Sequence, residues 1–118
     1  MEYQTLERCL LDRPETAKEF PFGPETAVFK VAGKVFALVP WQNDPLTINL
    51  KCDPDEAIAL RDAYDAVQPG YHMNKEHWNT ILLNDSLPEG LLLKMIDDSY
   101  RLVVAGLRKV DRDKLQTM

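Results

Sequence analysis

Two apolar runs, Val28-Phe29-Lys30-Val31-Ala32 and Val35-Phe36-Ala37-Leu38-Val39, flank the dipeptide Gly33-Lys34, and this arrangement constrains the fold more than any other stretch. β-Branched and aromatic residues suit a pleated backbone, and a two-residue connection with glycine first suits a type II′ hairpin turn. The chain is thereby committed to antiparallel pairing. Lys30 alternates with Phe29 and Val31, as expected of a sheet with one covered face. The same alternation returns in Leu46-Thr47-Ile48-Asn49-Leu50-Lys51, where Leu46, Ile48 and Leu50 share one face and Thr47, Asn49 and Lys51 the other. A further strand is expected over His77-Trp78-Asn79-Thr80-Ile81-Leu82-Leu83, closed by the turn Asn84-Asp85-Ser86.

Helical signals surround these strands. Leu6 and Leu10 stand one turn apart in a first helix over Tyr3 to Leu11. Residues 13–24, punctuated by Pro14, Pro21 and Pro24, read as a crossing segment whose Phe20 and Phe22 cap a core edge. Pro40 to Pro45 reads as a mobile loop carrying Trp41. Asp53 as cap, Pro54 at the first helical position and Glu56 three residues after the cap open a second helix. Ala57, Leu60, Arg61 and Tyr64 then recur at helical spacing, and the helix ends before Pro69-Gly70. A long helix from Pro88 or Glu89 to about Val110 carries the stripe Leu91, Met95, Ile96, Tyr100, Val103, Val104 and Leu107. Helix, hairpin plus strand, helix, strand, helix defines an α+β class, a small antiparallel sheet with helices on one face. The other face, bearing Lys30, Thr47, Asn49 and Lys51, is expected to be partly open.

With 118 residues, no linker and no internal repeat, residues 1–118 are expected to form one domain. No apolar run approaches the ~20 residues of a membrane span, and the N-terminal residues lack a signal-peptide pattern. Cys9 and Cys52 lack metal or redox spacing and read as reduced, partly buried residues of a cytoplasmic protein. The net charge of −5 and pI near 5.0 argue against a general polyanion binder. The charge is uneven, however. Residues 53–65 carry Asp53, Asp55, Glu56, Asp62 and Asp65 against Arg61, whereas residues 28–51 carry Lys30, Lys34 and Lys51 against Asp44. The acidic helix reads as a solvated face, with a weak cation-binding ridge as the rival reading; Asp97-Asp98 also reads as solvated.

The densest chemistry lies in Pro69-Gly70-Tyr71-His72-Met73-Asn74-Lys75-Glu76-His77-Trp78-Asn79, which holds both histidines and one of the two tryptophans. His72 and His77 are five apart, not the i, i+4 spacing of helical metal ligands, and no HExxH or CxxC partner accompanies them. No G-x-S-x-G elbow supplies a nucleophile. Neither a metal nor a cofactor is expected. One reading is structural: Tyr71, Met73 and Trp78 pack at a core rim while His72, Asn74 and Asn79 satisfy backbone groups around a turn. The other is binding, with planar rings that stack on flat ligands and Lys75 and the amides as polar contacts.

Several strings resemble the MmcQ/YjbR family of small bacterial proteins. They are Phe22-Gly23-Pro24-Glu25, Val28 to Val31 with Gly33 to Ala37, Asn49 to Pro54, Pro69 to Lys75 with His77-Trp78-Asn79, and Asp97 to Val103. The resemblance implies a single α+β domain of the frataxin/CyaY-like group and a DNA-binding role through a double-wing arrangement of hairpins. The frataxin link points to iron on acidic residues, but here these lie on an interior helix and match no frataxin motif.

The leading expectation is a non-enzymatic binding module with nucleic acid as ligand. Lys30, Lys34 and Lys51 would touch phosphates, and Tyr71, His72, Asn74, Lys75, His77 and Trp78 would supply stacking and polar contacts. A second is a small-molecule binder, in a drug-sequestering role, with Trp41, Trp78 and Tyr71 around an apolar pocket. A third is an enzyme using a histidine as acid or base. The oligomeric expectation is a monomer.

Overall fold

The computed structural model describes residues 1–70 and 73–116. Along them run α1 (Tyr3–Leu11), β1 (Thr16–Glu19), β2 (Ala27–Val31), β3 (Lys34–Val39), β4 (Thr47–Lys51), α2 (Pro54–Ala63), β5 (Val67–Pro69), β6 (Trp78–Leu82), α3 (Glu89–Ala105) and α4 (Lys109–Gln116). The strands form one sheet in the order β1-β2-β3-β4-β6-β5, every pairing antiparallel. This is the expected α+β architecture, with an open sheet and helices packed on one face.

Cross-strand partners share a face, so the register divides the sheet cleanly. Phe29, Ala37, Leu50 and Asn79 form one transverse row, with Ile48, Ile81 and Val67 beside it. These residues are buried beneath the helices, together with Leu6 and Leu10 of α1 and Leu92, Met95, Ile96 and Val103 of α3. The opposite row is Glu19, Val28, Leu38, Asn49, Thr80 and Gln68. α3 lies against β4, β3 and β2, α1 against β1 and α2 against β5, while Leu115 of α4 packs against the core. The buried apolar residues of α1 and α3, and Leu60 of α2, join the cluster on the first face, so among the described residues the second face carries no helix, though its Val28 is fully buried.

The hairpin turn sits one residue earlier than the sequence suggests. Val31 pairs with Lys34, so the connecting residues are Ala32 and Gly33, both at positive φ (48° and 83°). That is the type I′ geometry, whose twist matches the strands it joins. Lys34 becomes the first residue of β3. The register then jumps between Phe29 and Lys30, from Ala37 to Val35, leaving Phe36 as the extra residue of a bulge. Phe36 and Ala37 are both fully buried, and Phe36 meets Tyr100 of α3 edge-on at 5.4 Å.

Three further departures have local causes. β1 lies in the expected crossing segment; its Thr-Ala-Lys-Glu sequence has little strand character and forms by pairing along β2. β5 is three residues long, ends in proline and occupies the other sheet edge, where a missing N–H is tolerated. The expected long helix is two: α3 stops at Ala105, the chain bends at Gly106, and buried Leu107 turns back before α4. Glycine is a poor helix former, so the bend falls there at little cost.

Candidate nucleic-acid interface

The polar-aromatic tract is built as a tight turn at one end of the sheet. The Asn74 side-chain oxygen accepts the Glu76 N–H at 2.9 Å, and its carbonyl accepts those of His77 (3.2 Å) and Trp78 (3.0 Å). The His77 carbonyl receives the Cys52 N–H at 2.7 Å, and the Trp78 carbonyl receives that of Gly70 at 2.8 Å. A Cβ at Gly70 would stand 2.8 Å from both the Cβ and the carbonyl oxygen of Trp78, so this close approach requires glycine. Asn74 thus serves the turn itself, as the structural reading expected.

Arg61 of α2 fastens the turn from the helix side. Its Nε donates to Asn79 Oδ1 at 2.7 Å, and its terminal nitrogen donates to the carbonyls of Lys75 and Trp78. Asn79 is fully buried, and its Nδ2 has no hydrogen-bond partner among the described residues. Sequence reasoning missed Arg61 as an organising residue. The available signal was its position as the lone cation of an acid-rich helix, at an inward helical spacing.

Trp78 and Lys51 are direct cross-strand partners on the uncovered face, both half-buried. Beside them Thr80 Oγ1 donates to Asn49 Oδ1 at 2.5 Å. The position of Lys51 depends on Ser99, a fully buried residue of α3. The Ser99 hydroxyl accepts the Lys51 N–H at 2.9 Å and donates to the Phe36 carbonyl at 2.6 Å. It stands where a direct bond between those two groups would extend the β3–β4 ladder beyond the Ala37–Leu50 pair. An inserted hydroxyl holds the strands apart there while leaving both backbone groups satisfied.

The lysines of the sheet and its flanking elements differ in whether a carboxylate meets them. Lys18 pairs with Glu7 at 3.2 Å, Lys30 with Glu19 at 3.1 Å, and Lys94 with Glu56 and Asp98 at 3.3 and 2.6 Å. Lys34, Lys51 and Lys75 form no ion pair among the described residues. Lys34, Lys51 and Lys75 lie at the same end of the sheet, Lys51 on the uncovered face and Lys34 on the side of its core-facing partner Val31. Lys34 follows the hairpin turn, Lys51 ends β4 beside the bulge, and Lys75 lies in the turn leading into Trp78. Lys30, expected as a phosphate contact, already has its charge met by Glu19. His77 is half-buried in the same turn. Tyr71 and His72, also expected contacts, lie outside the described residues.

Trp41 belongs to the opposite end. Its indole N–H donates to the Pro24 carbonyl at 2.7 Å, and its ring lies 6.0 Å from that of Tyr3. Lys51 and Thr47 bound β4, so the two ends of the sheet are roughly 13 Å apart along that strand. Trp41 and Trp78 therefore do not share the expected aromatic pocket. A cavity of about 220 Å³ near the Trp41 end is lined by Met1, Thr5, Leu82, Leu83, Asp85, Leu87, Glu89 and Leu92.

The helix side of the lysine end is acidic. Burial, with the carboxylates of Glu56, Asp53 and Asp98 around it, pushes the Cys52 thiol up to about 11. Among the described residues, no three His, Cys, Asp or Glu side chains are grouped to hold a metal ion. No helix there is long and apolar enough to cross a membrane.

An α+β domain with an open antiparallel sheet, helices on one face and, at one end of the sheet, lysines without an ion pair among the described residues is the class that these features define. The YjbR family model matches residues 11–102, and the chain belongs to that family. It is 40% identical to YbdF of Escherichia coli O157:H7 over 97% of this chain and 93% of that protein. With YjbR of Escherichia coli K12 the identity is 36%, over 73% of each. The crystal structure of Deinococcus radiodurans protein DR2400, described as a DUF419 domain, superposes with a TM-score of 0.92 at 36% identity, covering 98% of this chain and 88% of that one.

Proposed function

We propose that this protein is a non-enzymatic cytoplasmic binding module that holds nucleic acid against the lysine-bearing end of its uncovered sheet face. The observation that carries this reading is the placing of three lysines: Lys34, Lys51 and Lys75 form no ion pair among the described residues and stand at one end of the sheet, whereas Lys18, Lys30 and Lys94 each meet a carboxylate; Lys109, on α4, also forms no ion pair there. An unpaired ammonium is free to neutralise a phosphate and release its condensed counterion. With a net charge of −5, the rest of the molecule repels a polyanion, so binding depends on this local cluster.

Three phosphate contacts give a log–log salt slope of roughly −2.1 to −2.7, so affinity should fall roughly 20- to 40-fold between 50 and 200 mM salt. Fluorescence anisotropy with a labelled oligonucleotide measures this. The Lys34→Ala, Lys51→Ala and Lys75→Ala variants should each weaken binding and reduce the slope by about one. Absence of binding at low salt with tens of micromolar protein, or indifference to all three substitutions, would overturn the proposal.

A further inference from the structure

Resting on that reading, we infer that the ligand is single-stranded nucleic acid, laid across the open sheet with a base stacked on Trp78. Trp78 and Lys51 are cross-strand partners of β6 and β4, so an aromatic side chain and a lysine with no ion pair among the described residues are neighbours on this face. A ring so placed suits a base whose face is exposed, and in a duplex those faces are hidden by stacking. The next row of the same face holds Asn49 and Gln68, on either side of Thr80 in the register. The Thr80 hydroxyl fixes Asn49 Oδ1, which orients the amide and leaves its NH2 to donate to a base edge. Gln68 is exposed on the edge strand and carries a second amide.

The dimensions favour the same ligand. Six strands at roughly 4.8 Å spacing make a face roughly 24 Å across, twice the ~12 Å major groove of a duplex. The groove admits a helix or a two-stranded ribbon, so the face as a whole cannot enter it. A flexible single strand can lie along the face, with its bases toward the sheet and its phosphates at Lys51 and, around the end of the sheet, at Lys75 and Lys34. The rival within this fold is the β2–β3 hairpin tip, a two-stranded ribbon that ends at Ala32-Gly33 and presents Lys34. That tip would bind duplex and would not need Trp78.

The test compares a fluorescein-labelled 16-nucleotide strand with the duplex it forms with its complement, at one low salt concentration. Single strand should bind about tenfold or more tightly than duplex, and Trp78→Leu should weaken it roughly tenfold while leaving the salt slope unchanged. Because Trp78→Leu could disturb β6, Trp41→Phe protein supplies a second readout. Its remaining indole fluorescence should be quenched by unlabelled single strand and not by duplex. Duplex binding as tight as single-strand binding, or single-strand binding without quenching, would overturn this inference and leave the broader reading standing. Failure of both ligands to bind would overturn both.

Discussion

Arg61 connects a helix to a loop by side-chain chemistry alone. Its guanidinium serves Asn79 Oδ1 and the carbonyls of Lys75 and Trp78, acceptors that its loss would leave without that donor. Charge-assisted bonds of this kind are the stronger class, and their removal has the added cost of unsatisfied groups. Arg61→Ala should therefore lower stability by about 2–3 kcal/mol in urea denaturation, and Arg61→Lys should recover only part of it, since lysine lacks the planar fork. A loss below about 0.5 kcal/mol would mean the loop holds itself. Cys52 illustrates a second effect of position. Its thiol is raised to about 11 by burial and by the nearby carboxylates, so at neutral pH it is protonated and unreactive. In Cys9→Ser protein, alkylation at pH 8 should run on the order of a hundredfold slower than for a free thiol and accelerate toward pH 11. A rate equal to that of a small-molecule thiol would show Cys52 to be exposed. Neither role is visible in sequence, where Arg61 is one helical position among several and Cys52 a lone cysteine.

At the scale of elements, the central strands and three helix starts were legible because their signals are local. Alternation in β4, the Asp53-Pro54-Glu56 opening of α2 and the Leu6–Leu10 spacing of α1 each arise from neighbouring residues. β1 and β5 were not legible, because edge strands take their conformation from the strand beside them. The turn at Ala32-Gly33 was misplaced by one residue because the pattern does not reveal that Ala32 adopts positive φ. Ser99 is the strongest such case: a serine in an apolar helical stripe reads as a gap, yet it fills a break in the sheet. Replacing it with alanine leaves the Lys51 N–H and Phe36 carbonyl without the bridging hydroxyl, unless the strands close. Ser99→Ala should therefore cost about 1–3 kcal/mol in thermal or urea unfolding, whereas Ser86→Ala on the exposed turn should cost little. Equal effects at the two serines would refute the bridging role.

Across the whole molecule, charge sorts by place in the fold rather than by sequence block. Acidic groups of α2 and α3 gather on the helix side near Cys52, while Lys34, Lys51 and Lys75, which form no ion pair among the described residues, edge the same end of the sheet, Lys51 on its open face. The excess of lysine over acid in residues 28–51 was visible beforehand. That Glu19 would neutralise Lys30 while Lys75 has no ion pair among the described residues was not, because ion pairing depends on register across strands distant in sequence. Nor could spacing reveal that Trp41 and Trp78 stand at opposite sheet ends. The central claim is that one end of one face binds nucleic acid, and amide chemical-shift mapping during titration with an oligonucleotide at low salt tests it most directly. The account predicts shifts concentrated at Lys34, Lys51, Lys75 and the Trp78 indole N–H; shifts centred on Asp53, Glu56, Lys94 and Asp98, or none at saturating ligand, would contradict it.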